Sequence, residues 1–295
     1  MEQILAKTII SSYFDNGWFN SNYNMNIYKG CNHGCIYCDS RSDCYRIENF
    51  DQVKVKKDAL KIINNDLKSK RKKGMIFTGS MSDPYNSFEE KMELTRGALK
   101  LIKDYRFGVA IVTKSDLVLR DIDLLKEINQ YNDVAVGITI TTIDDNLSGK
   151  IERQVPNSSE RFEVIRQLRA AGIKAGILLT PLLPFINDTQ VNIKGIVQKA
   201  VEVDANWVYV WSGFGVTLRN NQREHYYMWL DKLFPGLKEK YQVTYGNSYW
   251  CQSLEGTVLW QEFTRLCQEK QIPYHMKDIC NRYFKKDVSQ QLTLF

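Results

Sequence analysis

The sequence predicts an α/β protein: a parallel sheet of βα units followed by an α-rich C-terminal extension. Three observations predict it. Strand-like runs at 24–28, 75–78, 109–113, 134–140, 174–179 and 207–211 alternate with helical periodicity at 55–70, 88–104, 121–129, 158–171 and 190–203. A chain of 295 residues, 43% hydrophobic and 25% charged, has the length and composition for one large α/β domain or a barrel with a small appendage. No long Pro/Gly/Ser linker, low-complexity tract or fixed-period repeat divides it.

Taken in order, residues 1–22 carry scattered aromatics (Tyr13, Phe14, Trp18, Phe19) and are expected to pack as an irregular lead-in. The βα units fill 23–211. In the helix expected at 158–171, Ser158 or Ser159 is the expected N-cap and Gly172 the C′ glycine. Past Trp211 the pattern changes: 212–216 reads as a loop, 222–233 as an aromatic-rich helix, 257–271 as another helix and 272–284 as a short packed tail. Residues 212–295 are therefore expected to form an extension closing the side of the βα domain, ending in a polar tether at 285–290.

No apolar run approaches the ~20 residues of a membrane span, so no membrane partner is expected. The start MEQILAKTIISSYF lacks a signal-peptide pattern. Seven cysteines, an odd number with three clustered, suit a reducing compartment better than a disulfide framework, so a cytoplasmic enzyme is expected. The net charge is +6, and Lys68, Lys70, Arg71, Lys72 and Lys73 form its densest run. A phosphate backbone would explain that run, and so would a solvated helix end whose cations suit the macrodipole.

The stretch with most chemistry is Gly30-Cys31-Asn32-His33-Gly34-Cys35-Ile36-Tyr37-Cys38, directly after the first strand-like run. Cys31, Cys35 and Cys38 stand in C-x3-C-x2-C spacing. Thiolates are the usual ligands of a cubane [4Fe–4S] cluster. Three of them hold three irons and leave the fourth open to a small molecule. A structural zinc site would close its shell with four protein ligands. The nearby fourth donor, His33, lies cramped between the first two cysteines.

The C-x3-C-x-aromatic-C pattern, with Tyr37 before the last cysteine, resembles the signature of the radical S-adenosylmethionine (radical SAM) superfamily. The resemblance implies an open, partial (β/α)6 TIM-type barrel, and the count of six strands agrees. It implies that Cys31, Cys35 and Cys38 bind three irons of a [4Fe–4S] cluster while the amino and carboxylate groups of S-adenosylmethionine chelate the fourth. It implies reductive cleavage to methionine and a 5′-deoxyadenosyl radical, with an external reductant such as flavodoxin or ferredoxin.

In such barrels the chemistry gathers at the C-terminal ends of the strands. The loop Thr78-Gly79-Ser80-Met81-Ser82-Asp83-Pro84-Tyr85 sits at one such end. By the resemblance it lines the methionyl group, with Gly79, Ser80 and Ser82 allowing close backbone approach and Asp83 accepting from the ammonium. Ser-Asp-Pro is also a frequent turn opener. Ser82-Asp83-Pro84-Tyr85 followed by Glu89-Glu90, then Thr113-Lys114-Ser115, then 152–161 from Glu152-Arg153 to Glu160-Arg161, resemble the spore photoproduct lyase-like branch. That resemblance places Lys114 and Thr139 near the SAM carboxylate or ribose and Leu178 by the adenine. Spore photoproduct lyases carry a hydrogen-donor cysteine in the second-strand loop. This loop has serines, and no cysteine stands between Cys44 and Cys251. Cys44 or Tyr85 is the expected catalytic replacement.

Cys251, Cys267 and Cys280 lack the tight pairing of an auxiliary cluster, and Cys267 falls in an apolar helix stripe with Phe263 and Leu266. The chain ends Gln291-Leu292-Thr293-Leu294-Phe295, which resembles the short peptide by which bacterial repair proteins dock on the sliding clamp. The leading expectation is therefore a radical SAM enzyme acting on DNA lesions. The alternatives are radical SAM modification of a peptide or small metabolite, and a cluster-bearing, clamp-associated binding protein.

Overall fold

A computed structural model describes residues 1–13, 17–211 and 213–284. Its elements, in chain order, begin with β1 (Gln3–Ile4), β2 (Ile10–Ser12), β3 (Ser21–Met25), β4 (Tyr28–Lys29) and β5 (Lys54–Lys56). The βα alternation follows: α1 (Ala59–Ser69), β6 (Met75–Thr78), α2 (Glu89–Met92), α3 (Leu94–Asp104), β7 (Gly108–Thr113), α4 (Ile122–Asn129), β8 (Val134–Thr139), α5 (Asp145–Ile151), α6 (Ser158–Ala170), β9 (Lys174–Leu178), α7 (Gln190–Glu202) and β10 (Val208–Tyr209). Last come β11 (Gly215–Thr217), α8 (Gln222–Leu233), α9 (Leu237–Tyr245), β12 (Trp250–Gln252), α10 (Gly256–Glu269) and α11 (Met276–Tyr283).

The central sheet runs β10-β9-β8-β7-β6-β3-β2. All its pairs are parallel except β2 with β3. Every residue of β6 and β8 is buried, as expected of parallel strands covered on both faces. The main apolar core joins the sheet to α1, α3, α4, α6, α7 and α10. Because the strands are parallel, their C-terminal ends all open on one side, where the loops gather.

Several boundaries differ from the sequence reading, each for a local reason. The lead-in is not irregular, since β1 pairs with β5 and β2 with β3. The first parallel strand is Ser21–Met25 rather than 24–28, and Tyr28 belongs to β4 in a separate three-stranded sheet. The expected helix 55–70 is β5 followed by α1. The expected helix 88–104 breaks at Glu93, which takes a left-handed conformation, because the buried Glu89 carboxylate caps α3 by accepting from the Thr95 N–H at 2.9 Å. Asn157, not Ser158 or Ser159, caps α6, in a capping box with Glu160. Gly172, at φ +80°, is the C′ residue as read. Sequence periodicity missed α5. Gly215 and Val216, read as loop, form β11 with Thr217 and pair with β12.

The basic run 68–73 precedes β6 and so lies at the opposite end of the sheet from the gathered loops. Lys70 and Lys73 stack there on Tyr23 and on Phe107. The terminal motif Gln291, Leu292, Leu294 and Phe295 lies outside the described residues. Among the described residues no helix is long and apolar enough to cross a membrane.

Candidate active site

The loop from Gly30 to Cys38 connects β4 to two short 3₁₀ turns, and its shape is fixed by backbone bonds. The Cys31 N–H donates to the Phe50 carbonyl at 2.9 Å, the Ile36 N–H to Ile151 and the Gln154 N–H to His33, both at 3.0 Å. Cys35 forms an isolated antiparallel bridge with Glu152. The segment 151–154 thus lies against the loop like a short strand.

Cys31, Cys35 and Cys38 line one cavity of about 480 Å³. Its second wall is the loop after β6, contributing Gly79, Ser80, Met81, Ser82 and Asp83. The ends of the next strands supply Thr113, Lys114, Thr139 and Leu178, with Thr180 and Pro181 beyond. Tyr13, Trp18, Trp211, Arg219, Tyr249 and Trp250 line it further out. Every residue expected to hold the cofactors is therefore brought to one cavity, from five separate segments of chain.

The two residues expected to act as hydrogen donors do not line the cavity. Tyr85 is 1% exposed, packs in the main core and donates to Asp121 at 3.1 Å. Cys44 is exposed and outside the cavity lining, although its Sγ lies 3.1 Å from Nη1 of Arg219, which does line it. The expectation for Asp83 also needs correcting. Its carboxylate already accepts from Thr113 Oγ1 at 2.7 Å and from the Lys114 and Tyr85 N–H groups at 2.9 Å, with His33 Nδ1 at 3.4 Å. It ties the loop after β6 to the end of β7. Burial pushes its carboxyl up, but His33, Thr113 and the Lys114 N–H outweigh this and hold it below the usual range. Ser82 likewise spends its hydroxyl on the Gly30 carbonyl, joining this loop to the cysteine loop.

Behind the thiols lies a buried polar network. The Tyr37 hydroxyl and Arg161 Nη2 both donate to Glu152, and the Glu152 and Arg161 side chains are fully buried. Arg161 also donates to the Thr139 carbonyl at 2.7 Å and to Ser148 Oγ at 2.6 Å. The sequence motif at 152–161 contains both ends of this ion pair, but only tertiary folding turns Tyr37 toward it. Lys114 stands 5.6 Å over the Tyr37 ring. Burial lowers its affinity for a proton, yet Cys35, Glu152 and Cys38 more than offset that and hold it above the usual lysine range. Burial pushes the Cys35 thiol up to about 12 and Cys38 to about 11, while His33 overcomes burial at Cys31 and lowers it.

The donor set suits a cubane better than a single ion. Among the described residues no three His, Cys, Asp or Glu side chains gather closely enough to chelate one metal. A cubane takes one thiolate per iron, so its ligands stand farther apart around a larger body. His33, the candidate fourth zinc ligand, faces Asp83 instead. All seven cysteines are free. Cys251, Cys267 and Cys280 pack in three different apolar clusters and do not form one site.

Sequence reasoning missed most of the outer wall. Trp18 lies 5.3 Å from Trp211 and 5.7 Å from Phe77, ring centre to ring centre, making a continuous aromatic face. Arg219 donates to the Tyr249 hydroxyl at 2.8 Å across from it. These residues come from the lead-in, from β6, from just after β10 and from the segments flanking the β11–β12 pair, and no local pattern links them.

Comparison with known proteins agrees with this arrangement. An uncharacterized protein of Methanocaldococcus jannaschii is 36% identical over 170 residues, 57% of this chain and 63% of that protein, so the chain spans less than two thirds of this relative. An uncharacterized protein of Mycobacterium tuberculosis is 26% identical over 250 residues, 82% of this chain and 73% of that protein. The fold is similar to spore photoproduct lyase in complex with dinucleoside spore photoproduct, with a TM-score of 0.63 at 14% identity, covering 90% of this chain and 79% of that one. The family model of the radical SAM superfamily matches residues 25–193, which span the cysteine loop and the strand ends that wall the cavity. The protein belongs to the radical SAM superfamily and is an enzyme of that superfamily.

Proposed function

We propose that this radical SAM enzyme acts on nucleic acid, as a lyase-like repair enzyme for lesions in DNA. Its cofactors are a [4Fe–4S] cluster and S-adenosylmethionine. When bound, these supply a 5′-deoxyadenosyl radical, made by passing one electron to the sulfonium. In this reading Cys31, Cys35 and Cys38 would hold the cluster, with one iron left open to S-adenosylmethionine. Gly79, Ser80 and Ser82 present close-packed backbone to the methionyl group, while Asp83 positions that backbone from behind. Lys114 offers a cation to the carboxylate, Thr139 lies toward the ribose and Leu178 toward the adenine. The six parallel strands with their helices are read as the open (β/α)6 barrel of 23–211, and 212–295 as the extension closing its side.

The observation that carries the nucleic-acid reading is the outer wall. Trp211 and Tyr249 are 53% and 49% exposed on a cavity that holds the three thiols at its other end. Exposed aromatics beside an arginine suit an unstacked base, and a base inside a duplex would have to be flipped out to reach the radical. The fold similarity to spore photoproduct lyase supports the same reading. The terminal motif at Gln291, Leu292, Leu294 and Phe295 would bring such an enzyme to the replication clamp. Deleting 293–295 should abolish clamp binding by calorimetry.

One observation favours a second reading, modification of a peptide or small metabolite. Among the described residues lining the cavity, the only thiols are the three cluster cysteines, so a substrate radical cannot be quenched by a fourth thiol from the wall. Anaerobic reconstitution separates the readings. With S-adenosylmethionine and dithionite, 5′-deoxyadenosine should rise when DNA carrying ultraviolet thymine lesions is added. Product indifferent to DNA would move the substrate to peptides and metabolites.

A further inference from the structure

Two cations share one tryptophan on the outside of the cysteine loop. The Arg153 guanidinium lies 3.7 Å from the centre of the Trp229 ring, and Lys232 Nζ lies 4.9 Å from it. Both cations are exposed, and neither has an ion pair among the described residues. The nearest acid in sequence to Lys232, Asp231, is engaged by Lys238 at 2.7 Å. An indole face attracts a cation through its ring quadrupole. Two like charges brought to the same ring oppose each other unless an anion joins them. The neighbouring imidazole reports the resulting field: His225 titrates down at about 4, by burial and then by Arg41, Arg153 and Lys232 against the single opposing charge of Asp51.

The place of this patch matters as much as its charge. The Arg153 side chain covers Gly34, in the middle of the cysteine loop, with Nη2 3.5 Å from where a Cβ would stand. Arg153 follows Glu152, which bridges Cys35. None of Arg153, Trp229 or Lys232 lines the cavity, so the patch lies outside the substrate's route.

We propose that Arg153, Trp229 and Lys232 form the docking surface for the one-electron donor, an acidic flavin or iron–sulfur carrier protein. This rests on the cluster reading above. The cavity side of the cluster is taken up by S-adenosylmethionine and substrate, so a protein donor must approach through the loop's outer face. An acidic carrier supplies the missing counter-charge and an aromatic contact. At this surface the carrier loses one electron and the cluster gains one, with no proton or group transferred. Nucleic acid also carries negative charge, but it must present its reacting base at the cavity mouth.

The test uses reconstituted holoenzyme, wild type and R153E/K232E, mixed anaerobically with reduced flavodoxin while cluster bleaching is followed. The flavodoxin-driven rate should fall about tenfold in the variant, and the wild-type rate should fall with added salt. The dithionite-driven rate and the 5′-deoxyadenosine it yields should not change. An unchanged flavodoxin rate in the variant overturns the proposal. Should the double variant fail to load iron, K232E alone, on α8 and away from the loop, should lose about threefold by the same charge effect; no loss there overturns the proposal too. Loss of DNA affinity with the flavodoxin rate intact reassigns the patch to nucleic acid and overturns it. Wild-type protein that makes no 5′-deoxyadenosine even with dithionite overturns the underlying cluster reading, a failure distinct from one confined to the flavodoxin arm.

Discussion

At Gly79 the backbone adopts φ +105°, and a Cβ there would stand 2.1 Å from the Val112 carbonyl oxygen. Both facts demand glycine, since an L side chain is strained at that angle and the obstacle is backbone. Gly79→Ala should cost roughly 2–3 kcal/mol and push the loop after β6 off the end of β7. Calorimetry on reconstituted protein should show S-adenosylmethionine affinity falling more than tenfold while iron content is kept. Asp83 shows why residue type alone misleads at this scale. A carboxylate in the right loop invites a role as ligand to the ammonium, yet Thr113, Lys114, Tyr85 and His33 occupy its lone pairs. Its work is to hold two strand ends together.

The segment 151–161 links β8, the cysteine loop and α6 through the Glu152–Arg161 pair. Removing one partner of a fully buried pair leaves a charge without compensation, at a cost of about 3–5 kcal/mol. Arg161→Met should lower the denaturant midpoint accordingly, and Glu152→Gln with Arg161→Met should cost less than Arg161→Met alone. Iron content per chain should drop in the single variant, because the Cys35 bridge loses its support. On α8, His225 makes a pH-dependent contribution. Its folded value is about 4 against 6.5 for an ordinary histidine, so between those values the unfolded chain binds more protons. Stability therefore falls as pH drops from about 6.5 to about 4. The group is only half-buried, which discounts the effect to roughly 1–2 kcal/mol. Urea titrations at pH 7 and pH 4.5 should show His225→Gln losing less on acidification than wild type.

Across the whole molecule, the cavity joins residues from the lead-in, the cysteine loop, four strand ends and the segments around the β11–β12 pair. The thiols and the aromatic wall therefore stand on different segments of one cavity. Trp211→Ala and Tyr249→Ala should each remove about 1–3 kcal/mol of stacking. If the substrate is a nucleic-acid lesion, KM for damaged DNA should rise at least fivefold in each variant. The slow formation of 5′-deoxyadenosine without DNA should stay within twofold of wild type. A parallel fall in both activities would place these side chains in cluster or S-adenosylmethionine binding instead.

The cysteine spacing, the second-strand loop and the βα alternation were legible in the sequence because each is local. A C-x3-C-x2-C loop carries its chemistry within eight residues, and strand and helix periods need only a dozen. The strands from Met75–Thr78 to Lys174–Leu178 came out within a residue or so of their reading for that reason. What sequence could not give is whatever depends on who faces whom. Tyr85 looks like a loop residue beside the site, but its ring turns into the core to meet Asp121. Cys44 stands six residues after Cys38 yet falls outside the cavity. Glu89, an ordinary acid in a helical stretch, breaks that helix by capping the next one. The wall of Trp18, Trp211, Arg219 and Tyr249 brings together residues more than two hundred positions apart. Local periodicity encodes burial and backbone geometry. Only tertiary packing, which satisfies each buried polar group from whatever segment is within reach, decided which side chains face the cavity.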